Sequence, residues 1–249
     1  MNKRYIFPLS IVIAGAIISG SLLISRDIAF LSDSEPGEAF IQTPSSDDNL
    51  LGNPDAPIVF VEYSDTECPF CKQFRSEMKR VMSHYGERGD VAWVYRHLPL
   101  INETSLRDAL ALECVAAEGE AVQFWSYLRR LYENKPSVAE GDMALDLVAH
   151  LAHEEGLDGT AIRECAEDGI FLERVEEQSR EALAAGAHRT PFTAILLKDP
   201  LSEHKKELLR QAVVDLPANA VTIPHEKNMI LLNGSIPSPF LESMIEALL

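Results

Sequence analysis

Cys68 and Cys71 stand three residues apart with Pro69-Phe70 between them, directly after an apolar run and directly before a helical pattern. A first cysteine at a helix start lies among unpaired N–H groups and the positive end of the macrodipole, which favour a thiolate. The thiolate attacks disulfides, and a second thiol one turn further in can close a ring with the first. The chemistry to expect is thiol–disulfide exchange, with Cys68 as nucleophile and Cys71 as resolving thiol. Pro69 and Phe70 carry neither a hydrogen-bonding nor a basic side chain. Any lowering of the Cys68 pKa is therefore expected mainly from backbone N–H groups and the helix end. No added cofactor is needed, because the cysteine pair is itself the redox group.

The elements that must position this pair follow in order. Ile58–Tyr63 reads as a central strand, and Phe70–Tyr85 as a helix with Phe74, Met78, Val81 and Met82 facing the core. Val91–Arg96 reads as a second strand, giving a parallel βαβ unit. Between Asn102 and Gly186 the pattern changes to five successive helices. Leu106, Leu110 and Cys114 mark one face, Phe124, Leu128 and Leu131 the next, and Ala144, Leu147, Val148 and Leu151 a third. Ile162 and Cys165 fall on a short fourth helix, and Leu172, Val175 and Leu183 on a fifth. Strand signals return at Phe192–Leu197 and Met229–Leu232, and Pro239–Leu249 closes as an amphipathic helix. Trp93 and Trp125 read as packing residues.

The N-terminal part bears on where the chemistry takes place. Lys3 and Arg4 precede a segment, Tyr5 to Ser25, that has no charged residue. About 20 apolar residues suffice to span a bilayer, and the basic end stays cytoplasmic. Residues 1–26 are thus expected to be an anchor, with a cleaved signal peptide as the alternative. Either puts the remainder outside the cytoplasm, where disulfides persist. Residues 27–57 hold Asp27, Asp33, Glu35, Glu38, Asp47, Asp48 and Asp55, four prolines and no Lys or Arg, and read as an acidic flexible linker. The formal charge of −17 argues against nucleic acid or lipid headgroups as partners.

The run Gly52-Asn53-Pro54-Asp55-Ala56-Pro57 through Ser64-Asp65, followed by Cys68-Pro69-Phe70-Cys71, resembles the start of a DsbA-like thiol:disulfide oxidoreductase. Tyr95–Leu100, Ala111–Cys114 and Phe124–Leu128 are similar to later parts of that family, in its membrane-anchored or exported bacterial branch. The resemblance implies an α/β thioredoxin-like fold over 58–249, with an all-helical insertion at about 102–186. It implies that Thr190-Pro191 is a cis-proline loop that faces the cysteines and binds extended substrate. Glu62, six residues before Cys68, would be an acid beneath the disulfide that helps move protons to the buried cysteine; an exposed strand acid is the alternative. The implied partners are exported proteins with reduced cysteines, and a membrane redox partner of the DsbB or VKOR type.

Cys114 and Cys165, on two helices of the insertion, are expected to form a structural disulfide across 51 residues, adding about 3–4 kcal/mol by loop-closure entropy. Two buried free thiols are the alternative. A four-cysteine zinc site lacks a second knuckle, so no metal is expected. His150 and His153 fit a solvated helix face, and His188 could lie near the pair. Residues 198–228 depart from the family pattern and include a basic helical stretch, Leu201–Val214, that suits either partner docking or a decorated loop.

The expected activity is an extracytoplasmic dithiol oxidase of the cell envelope. An envelope reductase or isomerase using the same pair is one alternative. A non-catalytic chaperone or binding module is the other.

Overall fold

The computed structural model describes residues 41–134, 142–224 and 228–249. The expected anchor 1–26 and the first part of the linker, 27–40, lie outside the described residues. Among the described residues no helix is long and apolar enough to cross a membrane.

A six-stranded sheet forms the frame, its strands side by side in the order Asn49–Gly52 (β1), Val91–His97 (β3), Ile58–Ser64 (β2), Phe192–Leu197 (β4), Met229–Asn233 (β6) and Val221–Thr222 (β5). Its centre is β2 (Ile58–Ser64), whose β-branched and aromatic residues suit a strand enclosed on both faces. β2 pairs in parallel with β3 (Val91–His97), from Ile58 opposite Val91 to Ser64 opposite His97. On its other side it runs antiparallel to β4 (Phe192–Leu197), with Tyr63 opposite Phe192. β6 (Met229–Asn233) continues the sheet beyond β4.

The parallel β2–β3 pair needs a crossover, supplied by α1 (Pro69–Val81). Cys71, Phe74, Met78 and Val81 recur at helical spacing along it and are buried. The helix regularity stops at Val81, short of the expected Tyr85, and Met82–Gly86 continues as a π turn. The C-terminal helix α8 (Ser238–Leu248) packs against α1.

The helical insertion leaves the sheet after β3 and returns before β4. It comprises α2 (Glu103–Glu118), α3 (Ala121–Asn134), α4 (Asp142–Glu154), α5 (Gly159–Glu167) and α6 (Leu172–Ala184). Asn102 and Ser105 cap α2 reciprocally, each side chain bonding the other's backbone N–H. At Gly159 a Cβ would lie 2.2 Å from the carbonyl oxygen of Ala149, so α5 can approach α4 this closely only through glycine. Cys114 of α2 and Cys165 of α5 are joined in a disulfide.

Two departures from the sequence reading concern supposed surface segments. The reading of 27–57 as linker fails for its second half: Asn49–Gly52 is a strand, β1, antiparallel to β3. The cause is Arg96, a buried guanidinium on β3 that needs counter-charge. Asp48 supplies it through a two-pronged pair at 2.8 and 3.0 Å, and Glu181 of α6 adds a contact at 2.9 Å. The departing segment is likewise integral to the fold over its described residues, 198–224 and 228. Its helix α7 (Glu203–Ala212) packs on α8, and β5 (Val221–Thr222) pairs with β6 as an edge strand.

Candidate active site

β2 ends at Ser64, and the turn Asp65-Thr66-Glu67 delivers the chain to Cys68, the N-cap of α1. The Cys68 N–H donates to the Asp65 carbonyl at 3.0 Å. Pro69 occupies the first helical turn, where its missing N–H costs nothing and its fixed φ suits the helix. No acidic residue stands in that turn to oppose a thiolate. Cys68 keeps 6% of its surface and Cys71 none, so the first cysteine is the one a substrate reaches. Both are unlinked thiols in this structure.

The two sulfurs have opposite electrostatics. The Cys68 thiol is drawn down to about 6, chiefly by a hydrogen bond from the Cys71 thiol. Burial opposes this, while the Thr190 side chain and the N–H groups of Cys71 and Phe70 assist. The largest single contribution is therefore a side chain, where the sequence reading looked to the backbone and helix end. At neutral pH the Cys68 thiolate is therefore favoured. Cys71 is held far above the ordinary thiol value, first by burial and then by its bond to Cys68 and the nearby Glu62 charge.

Glu62 is a buried acid, 1% exposed, in the middle of β2. Burial pushes its pKa up to about 7 against the hydrogen bonds that favour its charge, those of Ser64 and Trp93. The Trp93 indole N–H donates to its carboxylate at 2.9 Å. Glu62 thus keeps its proton to higher pH than an ordinary carboxyl and acts electrostatically on both cysteines.

The Thr190-Pro191 peptide bond is cis. It lies against the pair, with the Cys68 thiol donating to the Thr190 carbonyl at 3.3 Å. The Asp65 carboxylate accepts the N–H groups of Leu100 and Ile101 at 2.8 and 3.0 Å, which holds the loop after β3 beside the same turn. Phe70, beside Cys68 in sequence, and Leu100 and Ile101, on the loop that Asp65 holds, are 60%, 45% and 50% exposed. Tyr132 of α3 reaches the turn through the Asp65 carbonyl, and the Thr66 hydroxyl donates to Asp108 of α2 at 2.6 Å. The insertion therefore braces the turn that presents Cys68.

The structure brings together Cys68, Pro69, Phe70, Cys71, Glu62, Thr190 and Pro191. Cys114 and Cys165 form their own disulfide within the insertion. His188 is exposed. Among the described residues no group of three or more His, Cys, Asp or Glu could hold a metal ion. Sequence reasoning missed Trp93 as the donor to Glu62. The signal lay in the strand register: Glu62 is opposite Tyr95, two residues beyond Trp93 on the same face of β3.

A sheet built on a parallel βαβ unit, a dithiol at its first helix and a cis X-Pro bond against the sulfurs define a thioredoxin-type dithiol protein. The family model described as Thioredoxin matches residues 45–211, and the chain belongs to that family. Among solved structures it is similar to BdbD from Bacillus subtilis, at 26% identity and a TM-score of 0.56, over 65% of this chain and 87% of that one. Wolbachia pipientis α-DsbA1 shares the fold at 22% identity and a TM-score of 0.63, over 82% of this chain and 92% of that one. The fold is therefore DsbA-like. Among curated proteins the chain is 28% identical to disulfide bond formation protein D of Bacillus subtilis, over 52% of this chain and 59% of that protein. It is also 30% identical to Na(+)/H(+) antiporter NhaA 1 of Mycolicibacterium gilvum, over 72% of its own length. It spans only 29% of that antiporter.

Proposed function

We propose that this chain is a thiol:disulfide oxidoreductase that oxidises dithiols in exported proteins through the Cys68–Cys71 pair. The observation that carries the reading is the asymmetry of the two sulfurs: Cys68 lowered to about 6, Cys71 raised by burial. Stabilising one thiolate of the reduced pair favours the reduced form and so makes the disulfide form oxidising.

In the forward direction a substrate thiolate attacks Cys68 Sγ of the Cys68–Cys71 disulfide. The S–S bond breaks, and Cys71 leaves with its electron pair. A Cys71 thiolate is disfavoured by burial, so its proton must arrive with the electrons, and Glu62 is the buried acid suited to supply it. The second substrate thiolate then attacks the substrate sulfur of the mixed disulfide and expels Cys68 as a thiolate. Its low pKa makes it a good leaving group. The substrate has lost two electrons, the cysteine pair has gained them, and Glu62 recovers a proton from solvent. Thr190 and Pro191 would hold the substrate backbone, and Phe70, Leu100 and Ile101 would receive apolar side chains of an unfolded chain. The cysteine pair is the only redox group this cycle needs.

Reoxidation requires an acceptor for two electrons, which we assign to a membrane oxidase of the DsbB or VKOR type. The proposed location is the cell envelope outside the cytoplasmic membrane, with residues 1–26 as anchor. The disulfide inside the helical insertion supports an oxidising compartment. The reduction potential of the Cys68–Cys71 couple tests the direction. A value near about −120 mV is expected for an oxidant, and one near about −270 mV would reverse the assignment to a reductase. Loss of dithiol oxidation in Cys68→Ser is expected, and retained activity would reject the enzyme reading.

A further inference from the structure

A cavity of about 310 Å³ lies between α1 and α3, and Cys68, Cys71, Phe70, Thr190 and Pro191 are not among its lining residues. Both tryptophans of the chain line it, their rings 4.6 Å apart between centroids. Lys72, Arg75, Lys79 and Arg129 surround these indoles, and the one acid present, Glu133, is paired with Arg129 at 2.7 Å. In a chain with a formal charge of −17, four cations against one engaged carboxylate is a strong local reversal.

The hydrogen-bonding groups point the same way. The Arg75 guanidinium lies 5.8 Å from the Trp93 ring centroid and 5.9 Å from that of Trp125, and its Nη2 donates to the Trp125 carbonyl at 3.2 Å. Its Nη1 is buried and has no hydrogen-bond partner among the described residues, although the group lies in the field of Glu62. The Trp125 indole N–H is in the same condition, on a side chain only 8% exposed. Both residues line the cavity, and each carries there a strong donor that is closed to solvent and without an acceptor. Buried donors of this kind need an acceptor, and an anionic one serves them best.

We propose that this cavity is a second binding site, for a small amphipathic anion with a flat apolar body and a carboxylate. The apolar body would lie along the indoles, and its entry would turn Arg75 and Trp125 so that the carboxylate accepts from Nη1 and Nε1 within the field of Lys72 and Lys79. The volume falls at the lower end of the range for small-molecule sites. The site does not depend on the direction of electron flow at Cys68.

Naphthoate is a suitable probe, with uncharged naphthylmethanol as its isostere. Calorimetric titration of the full-length protein should show saturable one-site binding of naphthoate and about tenfold weaker binding of naphthylmethanol. The chain has two indole N–H resonances to follow. That of Trp125 should move downfield on binding, as its N–H gains an acceptor, and that of Trp93, already bonded to Glu62, should move less. Lys79 is exposed, so Lys79→Ala should fold normally and weaken naphthoate several-fold. Trp125→Phe keeps the apolar floor but removes the donor, and should also weaken it. Equal affinity for the two probes, a static Trp125 resonance or unchanged affinity in both variants would each overturn the proposal.

Discussion

Cys68 and Cys71 are the same residue type made into different reagents by a few ångströms of surroundings. The ultraviolet absorbance of the reduced protein should reveal a thiolate that titrates near pH 6. Because the leading cause is the Cys71 thiol, Cys71→Ala should move that midpoint up toward the ordinary value of 9.0. An unmoved midpoint would return the credit to the helix end. The lowered pKa stabilises the folded reduced form, and that gain develops as pH rises from about 6 to 9.0 and is lost on acidification through the same window. Glu62 acts with the opposite sign. Its raised pKa means that stability is lost as pH rises from 4.5 to about 7, and Glu62→Gln should flatten this part of the unfolding profile. At this scale the placing of Cys68 at a helix start, Cys71 one turn further in and Glu62 as a buried acid near them was legible from spacing and family resemblance. The Cys71-to-Cys68 hydrogen bond was not, because it depends on sulfur positions that a four-residue motif does not fix.

The strand β1 shows how an element can be hidden in composition. Asp47, Asp48 and nearby prolines look like solvated linker, since nothing within a short window offers them a partner. The partner is Arg96, 48 residues away on β3, with Tyr63 and Glu181 in the same cluster. Burial alone would raise the Asp48 pKa, but the Arg96 guanidinium more than offsets this and holds the carboxyl below its ordinary value. That stability is present above about pH 4 and lost as the carboxyl protonates. Arg96→Met would leave Asp48 and Glu181 buried without their counter-charge, and should cost about 3–5 kcal/mol in chemical denaturation. A loss under about 1 kcal/mol, the ordinary worth of a surface pair, would mean the cluster is well hydrated. The strands β2, β3, β4 and β6 were legible because hydrophobic runs announce themselves. β1 and the two-residue β5 were not, being short edge pieces whose pairing is set by distant neighbours.

At the scale of the whole molecule, a thioredoxin-type sheet carries a helical block that braces the catalytic turn through Tyr132 and Thr66. The change from strands to helices between Asn102 and Gly186 made that block visible in the sequence, whereas its packing on the turn depends on side chains far apart in the chain. The Cys114–Cys165 bond ties α2 to α5 across 51 residues. Cys114→Ser with Cys165→Ser should lower unfolding free energy by about 3–4 kcal/mol while leaving the Cys68 titration in place. If the titration moved as well, the block would be tuning the thiols in addition to holding the turn. The same bond has a consequence for supply. On the proposed activity, each newly made copy begins with four thiols and is itself a client for disulfide formation. Cys114 is inaccessible once folded, so its oxidation belongs to the time before the block closes. Mature copies can perform that step on nascent ones, which makes the pool self-propagating. A cell emptied of the protein must then restart it with another oxidant, and recovery should begin with a lag.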